Sequence, residues 1–349
     1  LGKYSIGVRM GFGWVASSYR KEGYGVRMAG DDTEDARKFF VSRIATPKRT
    51  ILHGASYGGL VGAKLLEVYG KNYDGAFFNS GAVGGALLNY EFRADLAAVY
   101  QFYCKNLPRA GEASYTLYSG LPLDSKMTMK EVTARIDECT GIAKPAAQRS
   151  ETQKQNLANI LNVVRIPERM LQRHMQASAF TMREVVDRIG KGKPVFGNRN
   201  VKYHGSTDDA ALNAGIARFD ADAAAVTALK EDGVPKGVLP IPAVSIHSFN
   251  DPQAAVEAQY EYRKAATDMG NGAKLVQAYT DEDVHVGQSL PEMAASIDGL
   301  MQWIEKGMKP SAQSIAAACG SWAEKFQGPC RYHPDYQPKP YNTRFARTQ

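Results

Sequence analysis

Apolar positions along the chain change their spacing in a regular order. Over 49–55 they form a short run that reads as a buried strand, and Leu60–Tyr69 then takes helical spacing. Gly75-Ala76-Phe77-Phe78-Asn79-Ser80 reads as the next strand, and the same signal returns at Pro240–His247 and Lys274–Tyr279. Helical spacing separates these runs: Ala254–Met269 is one helix, and 293–306 is another with Ile297, Leu300, Met301 and Ile304 inward. Upstream, 12–18 reads as a short strand and Tyr19–Gly30 as a glycine-rich loop. Asp31-Asp32-Thr33 then caps a helix over Glu34–Ile44, with Ala36, Phe39, Phe40 and Ile44 on one side. Strand and helix in alternation predict an α/β fold with a mainly parallel sheet covered on both faces.

The alternation stops between about Asn89 and Pro240. That stretch is mostly helical in spacing and more polar, with candidate helices at Phe92–Phe102, Met129–Glu138, Thr152–Val164, Glu168–Ala177 and Met182–Ile189. It reads as an insertion over the carboxyl edge of the sheet. The expected organisation is therefore a core over 1–88 and 236–310, a helical insertion over 89–235 and a C-terminal tail over 311–349. No internal repeat and no low-complexity segment appears.

Composition changes this picture in three places. The formal charge is +7, but Lys and Arg are scattered; the loosest grouping, Arg183, Arg188, Lys191, Lys193, Arg199 and Lys202, reads as solvated surface and gives no nucleic-acid stripe. No apolar run reaches the roughly 18 residues of a membrane span, so no membrane partner is expected. The chain opens on Leu1 without a basic-then-apolar leader, as if processing or truncation had removed its true start. The four cysteines form no CxxC, and no histidine stands at zinc-finger spacing. Four cysteines permit three pairings, or four free thiols. Neighbour pairing, Cys104–Cys139 and Cys319–Cys330, closes two peripheral loops and implies an oxidising, secreted or periplasmic compartment.

Candidate chemistry sits at Gly54-Ala55-Ser56-Tyr57-Gly58, a G-x-S-x-G placed between a strand and a helix. A chain that turns from strand to helix in one step strains the turning residue and brings backbones close, so the flanking positions are expected to need glycine. Ser56 would then stand exposed beside the helix N-terminus, whose amides favour developing negative charge. A hydroxyl needs a base to become a nucleophile. Asp251 follows the strand at 241–247, and His285 follows the strand at 274–279; both lie past carboxyl strand ends, where open α/β sheets bind ligands.

With these three segments the chain resembles the α/β-hydrolase superfamily over roughly 10–90 and 235–310, with a large helical lid inserted after the sixth strand. Ser18-Tyr19-Arg20-Lys21-Glu22-Gly23-Tyr24-Gly25 is similar to the loop after strand four in secreted esterases and prolyl-oligopeptidase-like enzymes. The resemblance implies Ser56 as nucleophile, His285 as base, Asp251 as the residue that orients it, and the Tyr57 N–H as an oxyanion donor. It also implies that 12–18 is the fourth strand and that the amino-terminal strands are missing. The function implied is a serine hydrolase cleaving carboxylic esters of small molecules, without cofactor or metal. The alternatives are a prolyl-oligopeptidase-like serine peptidase acting on short peptides and a non-catalytic binding module. His333 is a second candidate base. His53, His174, His204 and His247 precede the acid and read as structural or pocket-lining. Asp281, Glu282 and Asp283, and His204 with Asp208 and Asp209, are weak metal patterns. Met170, Met175 and Met182 read as apolar surface of the lid. Phe102, Tyr103, Tyr115, Tyr118, Phe180 and Tyr203 would pack that lid or meet apolar substrate groups.

Overall fold

The computed structural model describes residues 5–343. Its elements run α1 (Ile6–Arg9), α2 (Val26–Arg43), β1 (Ile51–Ala55), α3 (Tyr57–Tyr69), β2 (Gly75–Asn79) and α4 (Ala86–Cys104). There follow α5 (Met129–Thr140), α6 (Glu151–Val164), α7 (Glu168–Arg188), α8 (Asp209–Gly215) and α9 (Ala223–Gly233). Last come β3 (Ala243–Ser248), α10 (Glu257–Asp268), β4 (Leu275–Thr280), α11 (Leu290–Lys306) and α12 (Ala312–Phe326). The four strands form one sheet in the order β1-β2-β3-β4, parallel throughout. This is a mixed α/β fold with helices on both faces.

Two compact units divide the chain. One takes residues up to Glu22, Val26–Ala86 and Gly233–Pro340; the other takes Gly23–Gly25, Leu87–Asp232 and the residues from Tyr341. The first unit holds the sheet. Period-two alternation sends its side chains to two cores. Phe77, Val244, Ile246, Val276 and Ala278 pack against Met293, Ile297 and Leu300 of α11 and Ile315, Cys319 and Phe326 of α12. On the opposite face Leu52, Ala76, Phe78, Ala243 and Leu275 pack against Ala63, Leu65 and Leu66 of α3 and Tyr262 and Ala266 of α10.

The second unit is helical. Its α5 and α6 open on full capping boxes, Thr128 with Glu131 and Ser150 with Gln153. The Cys104–Cys139 disulfide ties the end of α4 to α5. Buried Asp95 accepts a hydrogen bond of 2.7 Å from Tyr203, and Ser178 of α7 donates to the Arg93 carbonyl of α4 at 3.0 Å.

Several expectations are corrected. The segment 12–18 is not a strand: no described segment pairs with the outer edge of β1, and a strand without a ladder partner has nothing to fix it. Helix α2 begins eight residues before Glu34. Its first turns are held by packing, with Val26, Ala29 and Gly30 buried and Gly30 set against Leu65. Asp32 is no cap; it accepts the Arg20 backbone N–H at 2.8 Å and pairs with the Arg20 guanidinium. The two helices expected over 168–189 are one, α7, and two short helices, α8 and α9, lie beyond the candidate helices of the sequence. The segment read as a tail contains α12 and the Cys319–Cys330 disulfide; its last six residues, like Leu1–Tyr4, lie outside the described residues. Both neighbour-paired disulfides are formed, and no described cysteine is free. Among the described residues no helix is long and apolar enough to cross a membrane.

Candidate active site

The corner after β1 is built from close approaches. Ser56 turns the chain at φ 54°, ψ −122°, and α3 starts on the next residue, Tyr57. A side chain cannot fit at Gly54, where an added Cβ would lie 2.3 Å from the Gly58 carbonyl oxygen. The second glycine with no room is Gly59, whose Cβ would meet the Gly81 Cα at 2.6 Å. Gly58 itself faces open space, so the flanking constraint expected there belongs one residue later. Backbone bonds lock the turn: Ser56 N–H donates to Asn79 at 3.2 Å, and the Ser56 carbonyl accepts from Gly59 and Ala82 at 3.0 Å each. Such strain costs on the order of 1–3 kcal/mol and persists only where surroundings over-determine it.

Three distant segments then converge. His285 Nε2 stands 2.6 Å from Ser56 Oγ, and His285 Nδ1 stands 2.8 Å from both carboxylate oxygens of Asp251. Asp251 is buried, while the imidazole keeps an edge to solvent, with 12% of its side chain exposed. Burial works against the Asp251 carboxylate. The His285 hydrogen bond, helped by the Ala254 backbone N–H, outweighs it and holds the group below the usual carboxylate range. An ionised Asp251 fixes the proton on His285 Nδ1, which leaves Nε2 as an acceptor for the Ser56 hydroxyl proton. Asp251 is itself oriented by Gln253 and Ala254, whose N–H groups donate to it at 2.8 and 2.9 Å.

Behind this chain lies a buried network that spacing alone did not reveal. Gln259 Nε2 donates to the Gly81 carbonyl at 2.9 Å and meets His247 Nδ1 at 3.0 Å; His247 Nε2 meets the Ala254 carbonyl at 3.0 Å. The loop of the acid and the loop facing the serine corner are thus joined through the Gln259 amide and the His247 imidazole. Burial pushes the His247 pKa down, so it is neutral, with its proton on Nε2. The loop of His285 is also tight. Val286 sits at φ 54°, unusual for a β-branched residue, and a Cβ at Gly287 would meet the Glu282 Cβ at 2.7 Å.

The remaining candidates have other partners. His333 pairs with Asp281 at 2.9 Å and lies edge-on to Phe249; His53 meets Asn79 at 3.0 Å; His174 accepts from Arg93 at 3.1 Å. His204 stands 3.5 Å from Asp209. No group of three or more His, Cys, Asp or Glu among the described residues is arranged to hold a metal ion. Of the basic set, Arg199 pairs with Asp220, Lys193 with Asp222, and Arg188 donates to the Tyr24 carbonyl. Met170, Met175 and Met182 are buried along α7. A groove of about 380 Å³ lies along β1, lined by Phe12, Trp14, Phe40, Ile51, His53 and Phe77; Ser56, Asp251 and His285 do not line it.

No family profile matches the chain, and no curated protein sequence matches it. Solved structures similar to it include esterases, a lipase and a serine hydrolase. Feruloyl esterase B from Aspergillus oryzae is 13% identical over 81% of this chain, with a TM-score of 0.39, and the chain spans 64% of its length. An esterase from the same organism is 14% identical over 83% of this chain and 68% of its own, with a TM-score of 0.37. Candida antarctica lipase A is 15% identical over 86% of this chain and 62% of its own, with a TM-score of 0.33.

Proposed function

We propose that the protein is a serine hydrolase of the α/β-hydrolase type that cleaves carboxylic esters through an acyl-enzyme. The observation that carries this reading is the unbroken chain Ser56 Oγ–His285 Nε2 at 2.6 Å and His285 Nδ1–Asp251 at 2.8 Å. Ser56 Oγ bonds to the acyl carbon while its proton passes to His285 Nε2. The tetrahedral oxyanion is met by the Tyr57 N–H at the start of α3; losing one such donor costs about 10²–10³ in rate. The C–O bond to the alcohol then breaks, and the alcohol leaves with the proton held by His285. Water, deprotonated by the same nitrogen, attacks the acyl-enzyme and releases the acid and free Ser56. Asp251 remains ionised throughout and steadies the imidazolium.

In this reading the sheet-bearing segments 1–88 and 236–310 form the catalytic core, and the helical segment 89–235 is the lid that selects substrates. The two disulfides suit a secreted or periplasmic enzyme. A panel of p-nitrophenyl esters, run beside aminoacyl and prolyl anilides with Ser56→Ala as control, tests it. Turnover of esters that Ser56→Ala abolishes is the expected result. Preference for anilides would make the protein a peptidase with the same machinery. No turnover of either substrate, with no labelling of Ser56 by a fluorophosphonate, would make it a binding module.

A further inference from the structure

His285 lies on a short loop between β4 and α11, and that loop contains a residue in a rarely adopted backbone conformation, Val286. A strained loop holds its shape only where it is tied down, so its anchors matter. They converge on Glu282, three residues before the imidazole. Ser248 Oγ donates to the Glu282 carbonyl at 2.6 Å, and Thr280 Oγ1 donates to Glu282 Oε2 at 2.5 Å. The other carboxylate oxygen, Oε1, is buried with no hydrogen-bond partner; the nearest cation, Arg331 Nη1, stands 3.8 Å away.

A second carboxyl lies beside it. Glu292, in the first turn of α11, is fully buried and faces Glu282. It accepts the Ser289 and Arg331 N–H groups at 2.6 Å each. Two buried carboxylates side by side cannot both be ionised. A proton carried by Glu292 would replace two repelling charges with one hydrogen bond between the carboxyls.

We propose that Glu282 and Glu292 are positioning residues that share one proton, and that this proton clamps the loop that presents His285 to Ser56. The inference rests on the hydrolase reading for its catalytic consequence but not for the clamp itself. Loss of the proton leaves two like charges under the loop and drives Glu282, and with it the loop, away from α11.

The other groups facing the pair do not replace the proton. Arg331 is half exposed, with 45% of its side chain open, and too far for a hydrogen bond. Tyr332 donates its hydroxyl to the Glu292 carbonyl and pairs with Ser296, and its own pKa is pushed up by burial. Asp281 is held by His333 on the outer side, Asp283 is exposed, and His285 engages Asp251. Burial, with Glu282 adding to it, pushes Glu292 up to about 7.

The test compares the wild type with Glu292→Gln, whose amide can donate to Glu282 at every pH but gives up one of the two backbone N–H bonds, and with Glu282→Gln, which removes the like charge and leaves both of those bonds in place. Two readouts are needed: kcat/KM for a p-nitrophenyl ester from acid to alkaline pH, and the melting temperature over the same range. Because the native pKa of Glu292 is raised above its unfolded value, the clamp's stability is whole below about 4.5 and is lost as pH rises through about 7. The Glu292 contribution to melting temperature, read as wild type minus Gln variant, therefore falls across that window, and the rate falls above it by up to about tenfold per pH unit. In either Gln variant the melting trend flattens and the alkaline fall moves upward by about one pH unit or disappears. Superimposable melting trends and rate profiles in the three proteins overturn the clamp. Flattened melting trends without any ester turnover, in proteins that fluorophosphonates do not label, overturn the hydrolase reading and leave the shared proton standing.

Discussion

Ser56 needs three neighbours that are not chemically reactive: Gly54, Gly59 and Gly81. A methyl group at residue 54 would sit 2.3 Å from a carbonyl oxygen, whereas one at residue 58 would touch nothing. Gly54→Ala is expected to cost about 1–3 kcal/mol and to displace Ser56, while Gly58→Ala leaves stability within about 0.5 kcal/mol. Chemical denaturation of the two variants separates these cases. Within the proposed triad, His285→Ala or Asp251→Asn should lower kcat by about 10⁴ or more with little change in KM, read by steady-state kinetics. His247 sets a different limit. Its pKa is lowered by burial, so the native state resists the proton that the unfolded chain accepts below about 6.5. Stability is then lost as pH falls below that value, and His247→Gln should reduce the loss, as measured by melting temperature between neutral and mildly acid pH.

At the level of elements, disulfide Cys319–Cys330 joins α12 to the segment that donates Arg331 N–H to Glu292. It closes an 11-residue separation, so its removal in Cys319→Ala/Cys330→Ala is expected to cost about 2–4 kcal/mol, measurable by urea unfolding. Local signals were readable wherever an element depends on its own residues. The strands β1 to β4 are short apolar runs, and the turn at Ser56 announces itself by its glycines. Signals that depend on a distant partner were not readable. The run 12–18 has the composition of a strand but no described strand beside it. Helix α2 gains its first two turns from burial against α3, which no window of its own sequence reports. Asp251 and His285 could be chosen by chain order and by their place after strands. Glu292 could not, because nothing near it in sequence shows that it meets Glu282. The shift from Gly58 to Gly59 likewise depends on Gly81, beyond the next strand.

For the molecule as a whole, β1 marks a boundary. Among the described residues it pairs with β2 on one side only, and its other side faces the groove bordered by Phe12, Trp14 and Val15, of which Trp14 is 50% exposed. The bonds from Asp74 N–H to the Thr50 carbonyl and from Ser56 N–H to the Asn79 carbonyl fix which residues point inward. By the parity of a parallel ladder, Leu52 and Gly54 turn their amides toward β2, and Ile51, His53 and Ala55 turn theirs outward. In deuterated water these five amides would therefore keep two different times. Leu52 and Gly54 would hold their protons until much of the sheet opens, while Ile51, His53 and Ala55 would exchange early, residue beside residue along one strand.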